Sequence, residues 1–177
     1  LRSSVQFAAF IMLFVSLSCV STKFSDVWTD EIYQERPAKV LVLSTFRDPV
    51  IRRLFQDETV KALKDLKVDA VAKYFGFPPD EVLSDKDAIP AMAREFGADT
   101  VLITRPAGTT RDAKDKSGHA YLNTHTDIYD MKTNRLISFA SAETQIGADS
   151  SDPRQYSSHV PSYAKDLVQK LSKAGLF

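Results

Sequence analysis

Lys39-Val40-Leu41-Val42-Leu43-Ser44, followed four residues later by Asp48-Pro49, decides how this chain folds. A short, unbroken run rich in β-branched residues has no polar side to turn to water, so it reads as a strand buried on both faces. Such a strand needs helices above and below its sheet. Asp48 then supplies a helix N-cap and Pro49 a residue preset for the first helical position. Ile51, Phe55, Thr59, Ala62 and Leu66 fall on one face of the helix that follows. Arg52, Arg53, Asp57, Lys61 and Lys64 lie largely elsewhere, which places the Arg52-Arg53 pair on the solvent side.

Downstream the pattern repeats. Val68 to Phe75 reads as a second strand, closed by Gly76 and Pro78-Pro79. Ile89, Met92, Ala93 and Phe96 mark a second helix that stops at Gly97; Pro90 is tolerated only in its first turn, which favours Asp87 over Ser84 as the N-cap. Thr100 to Thr104 is a third buried-type strand, and Arg111 to Gly118 is a charged loop. Tyr121 to Met131 and Leu136 to Thr144, separated by Lys132-Thr133-Asn134-Arg135, form an antiparallel hairpin. After the turn-rich Gly147 to Pro153, a last helix aligns Val160, Ala164, Leu167, Val168 and Leu171 and ends at Gly175. The order β-α-β-α-β, then a β-hairpin, then a C-terminal helix predicts an α/β fold: parallel pairing first, antiparallel strands added, a mixed sheet with helices packed on it. Leu41, Val42, Leu63, Phe96, Val101, Leu102 and Leu167 are the expected core.

Upstream, Val20 to Lys39 is a polar lead with Phe24, Trp28, Tyr33 and Pro37, read as a tether whose aromatics pack on the domain or offer a patch to a partner. Leu1 to Val20 carries one Arg, an apolar run from Phe7 to Val15, and Ser16-Leu17-Ser18 before Cys19, the sole cysteine of 177 residues. That is the layout of a secretory signal, whose apolar region spans about 7–15 residues. A spanning helix needs roughly 20 apolar residues, so a retained anchor is the short alternative. A core helix would show an amphipathic stripe, and Ala8 to Phe14 shows none. The chain divides into a signal over 1–18, a tether over 19–38 and one α/β domain over 39–177.

Several phrases carry a family likeness. The export segment ending at Cys19 resembles a bacterial lipoprotein precursor, in which the cysteine after the signal becomes the lipidated first residue. Ala93 to Ile103, AREFGADTVLI, resembles the helix, Gly-Ala-Asp, hydrophobic-strand block of small envelope lipoproteins. Asp127 to Ile137 is similar to their hairpin, with Asn134 where they usually carry Gly and Phe139 as the nearest aromatic. The Trp28-Thr29-Asp30 lead and the closing Leu167 to Phe177 are similar too. The superfamily so resembled includes the curli secretion lipoprotein, the amino-terminal domain of the Tol–Pal translocation protein, and lipoprotein activators of penicillin-binding proteins. The likeness implies lipidation at Cys19, attachment to the membrane through that lipid, and a binding or assembly role. Val20 after the cysteine, in place of an Asp retention signal, implies the outer membrane, periplasmic face.

Composition removes other classes. Lys plus Arg and Asp plus Glu are 23 each, so no basic surplus points to nucleic acid or anionic lipid. With Cys19 lipidated no disulfide is available, and 44% apolar residues must hold the fold by packing. No G-x-G-x-x-G, phosphate loop, H-E-x-x-H or G-x-S-x-G occurs, so no catalytic residue, cofactor or metal ligand is expected. His119, His125 and Asp127 could share a strand face as a loose metal site, but a polar solvent-facing strand explains them without one. Asp112, Asp115 and Gly118 lack calcium-loop spacing and sit among lysines. An anion at Arg52-Arg53 competes with plain exposure. The expected function is a lipid-anchored, non-enzymatic periplasmic module binding an envelope protein partner or itself. The alternatives are a binder of small ligands or cell-wall fragments in a sheet-edge cleft, then a hydrolase. Leu136 to Thr144 alternates poorly and has no Pro. It is either an edge offering a docking rail or a strand covered by the Trp28 lead or a terminal helix.

Overall fold

The computed structural model describes residues 22–75, 85, 87–111, 120–147 and 152–177. Strand β1 (Thr22–Thr29) is followed by β2 (Lys39–Ser44), α1 (Pro49–Asp65), β3 (Asp69–Ala72) and α2 (Ala88–Phe96). Then come β4 (Thr100–Arg111), β5 (Ala120–Asp130), β6 (Arg135–Ile146), α3 (Arg154–Ser157) and α4 (Val160–Lys173). The sheet runs β1-β6-β5-β4-β2-β3. β2 pairs in parallel with β3 and β4, and every later pairing is antiparallel. This is the mixed α/β sheet with packed helices that the order of elements predicts.

The doubly buried reading of β2 holds. Val40 and Val42 point into one core with Phe55 and Leu63 of α1 and Tyr163, Leu167 and Leu171 of α4. Leu41 and Leu43 point the other way and meet Val101, Ile103, Met92 and Ala93 beneath α2. The expected core residues are buried except Phe96, which is half-buried with the Lys73 ammonium 5.2 Å from its ring centre.

Local chemistry sets the element ends. The Asp48 carboxylate accepts the N–H groups of Val50 and Ile51, capping α1 as expected. Asp87 occupies the N-cap position of α2 without a side-chain cap bond, and Gly97 closes that helix at φ +62°. Ala98 is then buried, and the Asp99 carboxylate accepts from the Ala38 and Lys39 N–H groups and the Thr100 hydroxyl. In the hairpin turn the Asp130 carboxylate accepts from the N–H of Thr133 at 2.8 Å and also from its hydroxyl, and Asn134 sits at φ +58°. Asn is the best non-glycine substitute in that left-handed region, which explains the residue found there.

Two expectations need correction. The lead does not remain a tether throughout, because Thr22 to Thr29 is an edge strand of the sheet. It pairs with β6 across a bulge between Phe24 and Asp26, which breaks the period of two and hides the strand from pattern reading. Of the two readings of Leu136 to Thr144, the structure shows the strand covered by the Trp28 lead, since β1 lies along it. Its burial does alternate from Phe139 onward, but small Ala and polar Thr take the buried places and mute the signal.

The face of α1 is also rotated. Arg52 and Gln56 are buried, whereas Leu66 lies past the helix end, exposed. Arg52 donates to the carbonyls of Phe46, Arg47 and Phe75, and Gln56 to those of Val42 and Lys73. Both side chains thus satisfy carbonyls at the ends of β2 and β3, where the ladder stops.

Gly76 to Ser84, Asp112 to His119 and Ala148 to Ser151 lie outside the described residues. The expectations for Pro78-Pro79, Ser84, the calcium-like loop and part of the Gly147 to Pro153 turn fall on those residues. Leu102 is fully buried between sheet and helices, so Leu102→Ala should cost about 2–5 kcal/mol in chemical denaturation. In the turn, Asn134→Ala should lose about 1 kcal/mol of stability while Asn134→Gly stays near wild type, measured the same way.

Candidate binding face

Beyond α2, the sheet side opposite α1 and α4 carries no helix among the described residues. Strand alternation decides what stands on it. Along β5, Ala120, Leu122, Thr124, Thr126 and Ile128 turn into the core, leaving Tyr121, Asn123, His125, Asp127 and Tyr129 on the open side. Cross-strand register adds Phe139, Ser141 and Glu143 from β6, Arg105 from β4, and Lys23, Asp26 and Trp28 from β1.

The rings form a ladder across three strands. Trp28 stacks on Phe139 with centroids 5.8 Å apart, and Phe139 stacks on His125 at 5.6 Å. Trp28, the chain's single tryptophan, stays 40% exposed. Beside the ladder runs a polar chain. His125 Nε2 lies 3.0 Å from Asp127 Oδ1, and His125 Nδ1 lies 2.9 Å from the Ser141 hydroxyl. A carboxylate accepts and never donates, so in the neutral ring Nε2 carries the hydrogen and Nδ1 accepts from Ser141. Asp127 is also ion-paired to Arg105. Burial, then the Asp127 carboxylate, pushes the adjacent Tyr129 phenol above its ordinary value, while Arg105 pulls the other way. The phenol therefore stays protonated beside that carboxylate.

A groove of about 480 Å³ opens on this side across β1, β6, β5 and β4, with Lys23, Ser25, Ala107, Asn123, His125, Ser141 and Glu143 among its lining. It crosses the sheet, whereas the sequence pointed to a sheet-edge cleft. Over β6 and β5 the groove's floor is sheet backbone whose N–H groups are engaged in the ladders on either side, so there it presents side chains.

The structure treats the sequence candidates unequally. Cys19 and His119 lie outside the described residues. His125 and Asp127 do share a face, and among the described residues no cluster of three or more His, Cys, Asp or Glu side chains could hold a metal ion. Arg52 is withdrawn from solvent. Arg53 remains exposed, with its guanidinium over the Tyr74 ring at 4.9 Å and 3.5 Å from Asp57. The three aromatics of the lead divide: Phe24 stacks on buried Tyr163 at 6.2 Å, Tyr33 packs on the main core, and Trp28 faces outward. Arg105 carries no sequence signal as a site residue, and Tyr129 is legible only as part of the hairpin strand. Phe139 was visible only as the hairpin's nearest aromatic and Ser141 only as part of Leu136 to Thr144, because their place beside His125 depends on strand register.

No protein-family model matches the chain, and no curated protein sequence does. Solved structures share its fold. The PelC dodecamer from Paraburkholderia phytofirmans superposes with a TM-score of 0.54 at 13% identity, covering 89% of this chain and 99% of that one. The hypothetical protein CT253 from Chlamydia trachomatis gives 0.51 at 8% identity, over 79% and 98%. Lipoprotein GNA1162 from Neisseria meningitidis gives 0.49 at 15% identity, over 77% and 99%. At such identities the likeness to the first two establishes the fold alone.

Among the described residues, no helix is long and apolar enough to cross a membrane. Removing the middle rung of the ladder tests its integrity. Phe139→Ala should leave the fold intact, cost about 1–2 kcal/mol, and shift the Trp28 fluorescence to the red as the indole loses its covered side.

Proposed function

We propose that this chain is a lipid-anchored module of the bacterial cell envelope, fixed to the outer membrane at Cys19 on the periplasmic side. It carries no catalysis of its own and binds protein partners, another envelope protein or further copies of itself, in assembling or stabilising a complex. The observation that carries this reading is the open sheet face, where an exposed tryptophan stacks into a ring ladder beside a hydrogen-bonded polar chain. Aromatic residues and Arg beside satisfied polar groups are what protein interfaces concentrate at their centres. The fold likeness to the subunit of a dodecamer supports a self-assembling role. The Gly97-Ala98-Asp99 staple and the Asn134 turn supply physical reasons for the motifs that resemble the lipoprotein superfamily.

Anchoring follows from the sequence around Cys19. Acyl chains contribute about 0.8 kcal/mol per buried CH₂, so two or more chains give stable attachment where one is marginal. β1 begins at Thr22, three residues after Cys19, and three residues span at most about 11 Å. The domain would therefore lie directly on the membrane, with its β1 end nearest the lipid.

The second reading, a binder of small ligands or cell-wall fragments, is favoured by the groove of about 480 Å³ lined by side chains able to donate and accept. Intact mass of the purified protein should show loss of residues 1–18 and a lipid adduct on Cys19. A Cys19→Ala protein still membrane-bound at its unprocessed mass would point to an uncleaved anchor instead. Pull-down from solubilised membranes, with mass spectrometry of the bait, separates the two readings. A stoichiometric protein partner that Trp28→Ala releases supports the first, and a co-purifying small molecule supports the second. Recovery of the bait alone, as a monomer, would overturn the assembly role.

A further inference from the structure

We infer that β1 is a self-pairing edge: two copies of this chain join β1 to β1 about a two-fold axis, continuing the sheet from one copy into the next. The inference rests on the self-association half of the reading above and names the surface that carries it.

The two edges of the sheet differ in kind. β3 is only Asp69–Ala72, too short to template a partner, whereas β1 spans eight residues with no proline. Among the described residues no strand pairs with the outer side of β1, and geometry sets which groups lie there. The Asp30 N–H donates to the Ile137 carbonyl, and Trp28 presents its own carbonyl to the Ser138 hydroxyl. By strand alternation the N–H and C=O groups of Val27 and Thr29 therefore turn outward, away from β6.

The sequence of β1 is complementary to itself in one register. Pairing all eight residues antiparallel sets Thr22 opposite the partner's Thr29, Lys23 opposite the partner's Trp28, and Phe24 opposite the partner's Val27. Every such pair shares a face. Phe24 and Val27 pair within their own copy with buried Ala142 and Ala140, on the core side, while Lys23 and Trp28 pair with Glu143 and Phe139 on the open side. The ammonium of Lys23 then meets the exposed indole, a cation–π contact repeated by symmetry. The bulge at Ser25 would spoil pairing with an ordinary strand, but here it falls on the two-fold axis, where each copy's extra residue meets the other's. The occupant is thus a second copy of this chain.

The contact is small, so it should be weak in dilute solution. If the chains share a membrane surface, confinement raises their effective concentration. The test is cysteine cross-linking in intact cells expressing the full chain. A Lys23→Cys copy is co-expressed with a differently tagged Trp28→Cys copy and oxidised. The mixed pair should cross-link strongly. Pairs of identical variants should not, because Lys23 in one copy and the partner's Lys23 are separated by about 17 Å along the strands. Unsubstituted chains measure any dimer made through Cys19. Val27→Pro should abolish the mixed cross-link at unchanged protein level, and Val27→Ala should keep it. Equal cross-linking of identical and mixed pairs, a Lys23→Cys with Asp26→Cys pair that dominates, or no cross-link in any combination would overturn the pairing. The register pattern decides the matter even if Val27→Pro fails to fold. Failure with an envelope partner still recovered in pull-down would leave the assembly role standing and remove self-pairing alone.

Discussion

The carboxylate of Asp99 is the constraint on which the sheet depends. It accepts the N–H groups of Ala38 and Lys39 just where β2 begins, while the Asp99 backbone donates to the Lys39 carbonyl and accepts from Met131. One residue therefore sets where β2 and β4 start, and where β5 ends, relative to one another. Because side chains alternate along a strand, a slip of one residue would turn every buried group to the wrong face. Gly97 delivers the chain to that point in a left-handed conformation, and the adjoining Ala98 is small enough to be buried there. The three-residue phrase is thus a mechanical part with a distinct task for each member.

A second device guards the same register from inside the core. The hydroxyls of Thr124 and Thr126 on β5 converge on the phenol of Tyr163 in α4, at 3.2 and 3.1 Å, and Thr104 of β4 bonds Thr126 at 3.0 Å. Burial raises the Tyr163 phenol above its ordinary value, while the threonine hydroxyls act in the opposite direction. Misplacing α4 by one turn would strand these hydroxyls without partners, at a cost of roughly 1–3 kcal/mol for each buried group left unsatisfied. The apolar stripe of α4 fixes its face, and this cluster fixes its position along the axis.

The sequence made plain whatever is governed by burial on both sides or by local caps. β2 and the first half of β4 are covered above and below, so their runs are continuous. Asp48, Pro49, Gly97 and Asn134 mark ends through chemistry that needs no distant partner. β1 escaped because its bulge breaks the alternation, and Arg52 and Gln56 because no periodicity records a side chain whose task is to satisfy carbonyls at strand ends. The binding face was half legible for a related reason. His125 and Asp127 are two apart on one strand, so spacing alone unites them. Ser141, Phe139, Arg105 and Trp28 arrive from three other strands, and which of them stands beside His125 is a property of register.

The placement of β1 also governs the order in which the molecule can be completed. Thr22 bonds Thr144, 122 residues away, and Phe24 packs on Tyr163 in the last helix. A chain emerging from its amino end can form β2, α1 and β3 from near neighbours, but β1 has nothing to pair with until β6 and α4 exist. The first strand is therefore the last to be seated. Closing so long a loop is slow, and for that whole interval a strand with one apolar side stands open. A chain built this way needs to be held unfolded, or shielded, until its final helix is free to close over its first strand.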